Sequence, residues 1–290
     1  MSLAENGGEA PDLIEVAAPP PAPPIDLDDL KRELAAPYAV SAEDAERFRR
    51  DGWIKLKSVL CPSALGLLRR ELARLFGEEE GRLGDRFSSL EMMWESSDAM
   101  RAFVFSSRLA GIAADLMGAK AVRLYHDNGM SKQPGCGRTP WHYDDHHFPI
   151  ASDRICTVWA PLLAVPESMG PLSFASGMDL VDLIADIPFN KFDDSYDRRI
   201  SERLAEEGTP VEASGFDLGE VSFHHGRNLH TAGPNRTTTP RMVLATTYFE
   251  DGARVIDSPH MVNGDWRQFM PGVEPGGVID SPLNPVLYRR

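Results

Sequence analysis

From Gly118 onward the chain breaks into short apolar segments, each closed by a Gly or Pro within a few residues. Candidate strands fall at 122–126, 141–147, 155–163, 171–175, 220–225 and 242–249. Short strands with turn signals between them favour a sandwich or barrel over alternating βαβ units. Helical stretches near 179–186 and 195–207 interrupt the series. Upstream the texture is helical. Ser41-Ala42-Glu43-Asp44 reads as an N-cap with acidic residues in the first turn, and that helix stops at Gly52. Trp53-Ile54-Lys55-Leu56 then alternates like a strand. Leu65, Leu68, Leu72 and Leu75 recur at helical spacing between Pro62 and Gly77, and a further helix runs from Ser107 to Gly118. The expected class is mainly β with flanking helices. From Asp251 the chain is again rich in Pro and Gly and reads as an outer wrap.

Residues 1–36 hold six prolines, most of them between Pro19 and Pro24. Such a composition cannot bury enough apolar surface to fold, so a disordered Pro/Ala-rich arm is expected over 1–36, followed by a single domain over 37–290. Lys and Arg number 30 against 44 Asp and Glu, a net charge of -14. A binder that neutralises phosphates needs a basic surplus, and nothing stronger than Arg69-Arg70 or Arg198-Arg199 is present. No nucleic-acid partner is expected. Three cysteines with no CxxC pair exclude a disulfide scaffold or a Cys-based zinc site and fit a reducing compartment. The longest apolar run, 155–165, contains Thr157 and Pro161 and falls well short of the ~18 residues of a membrane span. The acidic N-terminus lacks the pattern of a signal peptide. These features together predict a cytoplasmic protein acting on a small molecule, with no membrane partner. The oligomeric state has no signature in the sequence.

Six of the eight histidines fall in two clusters, Trp141-His142-Tyr143-Asp144-Asp145-His146-His147 and His224-His225-Gly226-Arg227-Asn228-Leu229-His230. Strand residues two apart share a face, so His142 and Asp144 can present an imidazole and a carboxylate together. One imidazole from a distant strand would complete a two-His, one-carboxylate triad, which holds Fe(II) and leaves coordination positions open. A closed zinc site would want a fourth protein ligand. An HxD pair is common by chance, but here a basic residue, Arg241, opens an apolar strand eleven positions after His230. A guanidinium there can grip a carboxylate with two parallel hydrogen bonds. A dicarboxylate such as 2-oxoglutarate would chelate the iron at one end and meet Arg241 at the other.

On these residues the chain resembles the phytanoyl-CoA dioxygenase family of Fe(II)/2-oxoglutarate-dependent oxygenases. The resemblance runs from about Ser41 to Asp251. It takes in Phe48-Arg49-Arg50-Asp51-Gly52-Trp53, Lys132-Gln133-Pro134, Trp141-His142-Tyr143-Asp144, Val158-Trp159-Ala160-Pro161, Met169-Gly170-Pro171-Leu172 and the element from Leu229 to Arg241. It implies a double-stranded β-helix, or cupin-like jelly roll. It makes His142, Asp144 and His230 the iron ligands and Arg241 the clamp on the far carboxylate of 2-oxoglutarate. Trp159 and Asn128 fall at co-substrate contact positions. The implied reaction uses Fe(II), 2-oxoglutarate and O2 to hydroxylate an unactivated C–H bond, with release of succinate and CO2.

The chain departs from the family pattern at three places. Ala232 stands where a Ser is frequent, and Thr231 could supply the missing hydroxyl. Ser176-Gly177-Met178 replaces a frequent Gly-Ser-His. Tyr143 stands where Gln is usual and should alter the pocket wall. Tyr143, His146 and His147 are therefore expected at the substrate pocket, with one of the two histidines pointing in. His224 and His225 are expected to pack rather than ligate, His126 and His260 to be ordinary, and the cysteines to be small buried hydrophobes. A related halogenase would replace Asp144 with Ala or Gly to free a halide position. A non-catalytic cupin-like metal protein would have no use for Arg241. Oxidative desaturation by the same fold stays open, as does the substrate itself.

Overall fold

The computed structural model describes residues 13–78, 87–190 and 193–290. The N-terminal part carries helices α1 (Leu27–Ala35), α2 (Ala42–Asp51), α3 (Pro62–Glu78), α4 (Asp98–Val104) and α5 (Ser107–Met117), with strand β1 (Trp53–Leu56) after α2 and β2 (Phe87–Glu91) after α3. The strands β3 (Ala121–Lys132), β4 (Thr139–His142), β5 (Ile150–Ala151), β6 (Ile155–Pro161) and β7 (Leu172–Ala175) follow. Two helices, α6 (Leu180–Leu183) and α7 (Ser195–Glu206), precede β8 (Val211–Glu212), β9 (Val221–His225), β10 (His230–Ala232), β11 (Arg241–Glu250), β12 (Arg254–Val255) and β13 (Val286–Arg289).

The larger sheet has the order β1-β9-β6-β11-β3-β13, and β2 also pairs with β3. The smaller has the order β4-β10-β7-β8. Every strand pair is antiparallel. Two facing antiparallel sheets built this way form the jelly roll that the resemblance implied.

Period-2 alternation gives each strand of the larger sheet two apolar faces. On β6, Cys156, Val158 and Ala160 face the helices, in one core with Leu68, Leu72, Leu109 and Ile112. Trp159 instead joins Leu172, Phe174 and Val243 in a core between the sheets. Strand β3 and the helical layer meet closely at Gly129. A Cβ there would sit 2.6 Å from Met93 Sδ and 2.7 Å from Leu72 Cδ1, so a larger residue would have to push those side-chain ends aside.

The expectation of a disordered arm over 1–36 fails for part of its length. Its first twelve residues lie outside the described residues. Beyond them, Ile14 bridges to Thr237 and its N–H donates to the Arg236 carbonyl at 2.8 Å. Asp26 caps α1 with a full capping box, and Leu30 and Leu34 are buried in the main core. Arg108 fixes the end of α1 by donating to the Ala36 carbonyl at 2.6 Å and to Glu33 at 2.8 Å. The polyproline composition masked a short amphipathic helix next to it, whose apolar stripe has a partner only in the folded protein. Among the described residues no helix is long and apolar enough to cross a membrane.

Candidate metal centre

His142 ends β4 and pairs in register with His230, the first residue of β10. Their rings lie 4.2 Å apart. Asp144 is not on the strand, as the spacing argument assumed. It opens a single 3-10 turn, Asp144–His146, which swings its carboxylate back over the two imidazoles. Asp144 Oδ1 is 3.8 Å from His142 Nε2 and 3.7 Å from His230 Nε2. One ligand atom from each of the three lies within 4.8 Å of the others, a spacing that can hold a metal ion.

The hydrogen bonds around the imidazoles orient them for this task. His142 Nδ1 is 2.8 Å from the Pro140 carbonyl, and His230 Nδ1 is 3.0 Å from the Asn228 carbonyl. A carbonyl only accepts, so each Nδ1 carries the proton and each Nε2 lone pair faces Asp144. Burial lowers the pKa of both rings, His230 furthest, and keeps them in the neutral form that binds metal. Burial alone would raise the Asp144 carboxyl, but His230, His224 and His142 around it hold it well below the usual carboxylate range.

His224, expected only to pack, is the neighbour that fixes the carboxylate. It is 2 % exposed, and its Nε2 lies 3.1 Å from Asp144 Oδ2. Thr157 Oγ1 donates to the same oxygen at 3.2 Å and lies 3.0 Å from Thr247 Oγ1. With Oδ2 so engaged, Oδ1 is the oxygen turned to the centre. Alternation carried the signal, since His224 shares a β9 face with Ser222 and Thr157 shares a β6 face with Trp159. His225, on the opposite face, bonds the Asp153 carbonyl, as the packing expectation allowed.

The triad opens into a cavity of about 280 Å³. Arg241 lines it from the start of β11, opposite Lys132 in register and only 2 % exposed. One guanidinium nitrogen donates to the Gly170 carbonyl, and the group lies 5.3 Å from the Trp159 ring centroid. Gly170 sits at φ 70°, where a Cβ would run into the Gly233 carbonyl, so glycine is needed to present that acceptor. Nε of Arg241 is buried without a partner, and no described carboxylate pairs with the guanidinium. Burial pushes its pKa down to about 10, so it stays charged at neutral pH. A buried, unpaired cation is costly in isolation and calls for an anionic ligand.

Trp159 and Asn128 both line the cavity, and Asn128 Oδ1 is buried without a partner. Ala232 lines it too, but the Thr231 hydroxyl donates to the Thr139 carbonyl at 2.6 Å and cannot replace the missing serine. Tyr143, His146 and His147 do not line the cavity. Tyr143 Oη is 3.4 Å from His146 Nδ1, and His147 Nδ1 is 3.2 Å from the Val262 carbonyl of the C-terminal wrap. The 3-10 turn ends the strand alternation on which their inward placement relied. The walls come instead from Phe87 and Glu91 of β2, from His126 of β3 and from Phe148. Burial pushes His126 down to about 4.

Residues 48–243 match the family model for phytanoyl-CoA dioxygenase. Among characterised sequences, the probable alpha-ketoglutarate-dependent hypophosphite dioxygenase of Stutzerimonas stutzeri is 25% identical over 162 residues, which span 52% of this chain and 53% of that protein. The match thus covers about half of that relative's length. Ectoine dioxygenase of Streptomyces coelicolor is 22% identical over 233 residues, 71% of this chain and 76% of its own. The crystal structure of SnoN, a non-heme alpha ketoglutarate dependent epimerase from nogalamycin biosynthesis, superposes with a TM-score of 0.68 at 24% identity. That superposition covers 91% of this chain and all of SnoN. At that identity the likeness establishes the fold.

Proposed function

This chain belongs to the phytanoyl-CoA dioxygenase family, and from that premise we propose that it is an Fe(II)- and 2-oxoglutarate-dependent dioxygenase that hydroxylates a small organic substrate. The overall reaction converts substrate C–H, O2 and 2-oxoglutarate into the alcohol, succinate and CO2. His142, Asp144 and His230 are the proposed ligands. Bound there with its co-substrate, Fe(II) supplies the activation of O2 and the oxidation of the C–H bond.

The protein's own residues bind and orient. The two Nδ1–H bonds to backbone carbonyls hold the imidazole lone pairs on the centre. His224 and Thr157 lock the carboxylate by its far oxygen. Arg241, with Trp159 beneath it, is the proposed grip for the distal carboxylate of 2-oxoglutarate, and Asn128 a further contact. The observation that carries the reading is the buried, unpaired guanidinium of Arg241 in the same cavity as the triad. A purely metal-binding protein would have no use for it. The Asp144 carboxylate leaves no vacant ligand position of the kind a halogenase needs.

Asp144→Ala supplies the test. It should abolish succinate formation and Fe(II) binding while the circular-dichroism spectrum stays that of the parent. Succinate formation above ~10% of the parent rate would remove the carboxylate from the ligand set.

A further inference from the structure

The substrate end of the cavity carries its own chemical signature. Phe87 and Glu91 lie four apart on β2 and both face the cavity, with Glu91 opposite Asn128 in register. Glu91 has no hydrogen bond and no ion pair among the described residues, and it lines the cavity as an exposed side chain on its open side. Every other charge lining the cavity has a duty under the dioxygenase reading. Asp144 serves the metal, and Arg241 serves the distal carboxylate of the co-substrate. Iron's two positive charges and that of Arg241 are matched by Asp144 and the two carboxylates of 2-oxoglutarate. Lys132, which does not line the cavity, spends its amine on the Gly233 carbonyl at 2.9 Å and on Thr139. Among the described residues that line the cavity, Glu91 is left as the one uncompensated charge.

We propose that the primary substrate is a cation: a small molecule with a protonated amine seated against Glu91 and an apolar body between Phe87 and Phe148. The inference rests on the dioxygenase reading and specifies its substrate class. A carboxylate on a cavity wall with no partner of its own can accept a charge-assisted hydrogen bond from an ammonium that enters beside it. The neighbouring phenyl faces suit a cation or the alkyl groups beside it, through the ring quadrupole. His126 does not compete for Glu91, because burial and its contacts with Tyr125 and Phe269 keep it neutral.

The experiment uses the full-length Fe(II)-loaded protein under anaerobic conditions. 2-Oxoglutarate is added first, and its metal-to-ligand charge-transfer band reports an intact co-substrate site. Phenethylamine, tryptamine and cyclohexylamine are then titrated, each beside its N-acetyl derivative and the carboxylic acid of matching skeleton. The readouts are the perturbation of the band and, on admitting air, the stimulation of succinate release. Amines should bind at least about tenfold more tightly than their N-acetyl forms. Glu91→Gln should weaken amine binding about 10- to 100-fold, the range of one charge-assisted hydrogen bond. Glu91→Lys should turn the preference towards the acids. Parent protein that ranks neutral or acidic analogues above amines overturns the proposal, as does undiminished amine affinity in Glu91→Gln. A band that never forms with 2-oxoglutarate alone overturns the dioxygenase reading beneath it.

Discussion

His224 Nε2 sits 3.1 Å from Asp144 Oδ2, on the side of the carboxylate turned away from the two triad imidazoles. Because Asp144 lies in a turn and not on a strand, its backbone does not fix its direction. The hydrogen bonds from His224 and Thr157 do so instead.

Removing that restraint should weaken the centre without unfolding the protein. His224→Phe keeps the buried ring volume beside Phe174 but takes away the donor. Metal affinity, followed by Co(II) titration, should fall about 10- to 100-fold, the usual cost of losing a partner that orients a ligand. His225→Ala should leave metal affinity alone and lower the melting temperature, since that ring ties the β9 end to Asp153.

Arg241 should carry most of the co-substrate affinity. Breaking a guanidinium–carboxylate pair in a desolvated pocket costs about 2–4 kcal/mol, so Arg241→Ala should weaken 2-oxoglutarate binding roughly 30- to 1000-fold. Arg241→Lys should recover only part of this, because an ammonium cannot reproduce the planar fork. In the absence of co-substrate, Arg241→Met should melt no lower than the parent, since it removes an unpaired buried charge. Added 2-oxoglutarate should raise the melting temperature of the parent and leave that of Arg241→Met unmoved.

Helix α1 should be needed for stability. Leu30 and Leu34 are 0% and 1% exposed, and a buried Leu→Ala change costs about 2–5 kcal/mol. Leu30→Ala should lower the unfolding free energy from a urea titration by that amount, and deletion of everything before residue 37 should also move the urea midpoint downward. A midpoint equal to the parent's would show that α1 docks too weakly to matter.

The buried amine of Lys132 should make stability depend on pH above neutrality. Burial and the neighbouring Arg241 push its pKa down to about 7 from an ordinary 10.5. Between those values the unfolded chain holds a proton that the folded chain does not, so this residue makes stability rise with pH. The gain begins near pH 7 and levels off near pH 10.5. Lys132→Met should flatten that rise and raise the urea midpoint at pH 7. An identical slope in parent and variant would assign the dependence to another group.

The linear order of residues determined a great deal here. Alternation and Gly/Pro punctuation placed most strands of the jelly roll, because side-chain direction along a strand has period two whatever the strand's neighbours. Residue type and spacing pointed to His142, Asp144 and Arg241, and the family resemblance singled out His230; the structure brings these four to one cavity. Tertiary structure decided what each of these side chains meets. The docking of α1, the turn that carries Asp144, the approach of His224 and the placement of Glu91 and Phe87 on a cavity wall all depend on segments far apart in the chain. Nothing local in β2 says that it will lie beside β3, and nothing in the stretch after His142 says that its alternation will end in a 3-10 turn. Periodicity is a property of one segment, whereas a contact belongs to two, and only packing selects the second.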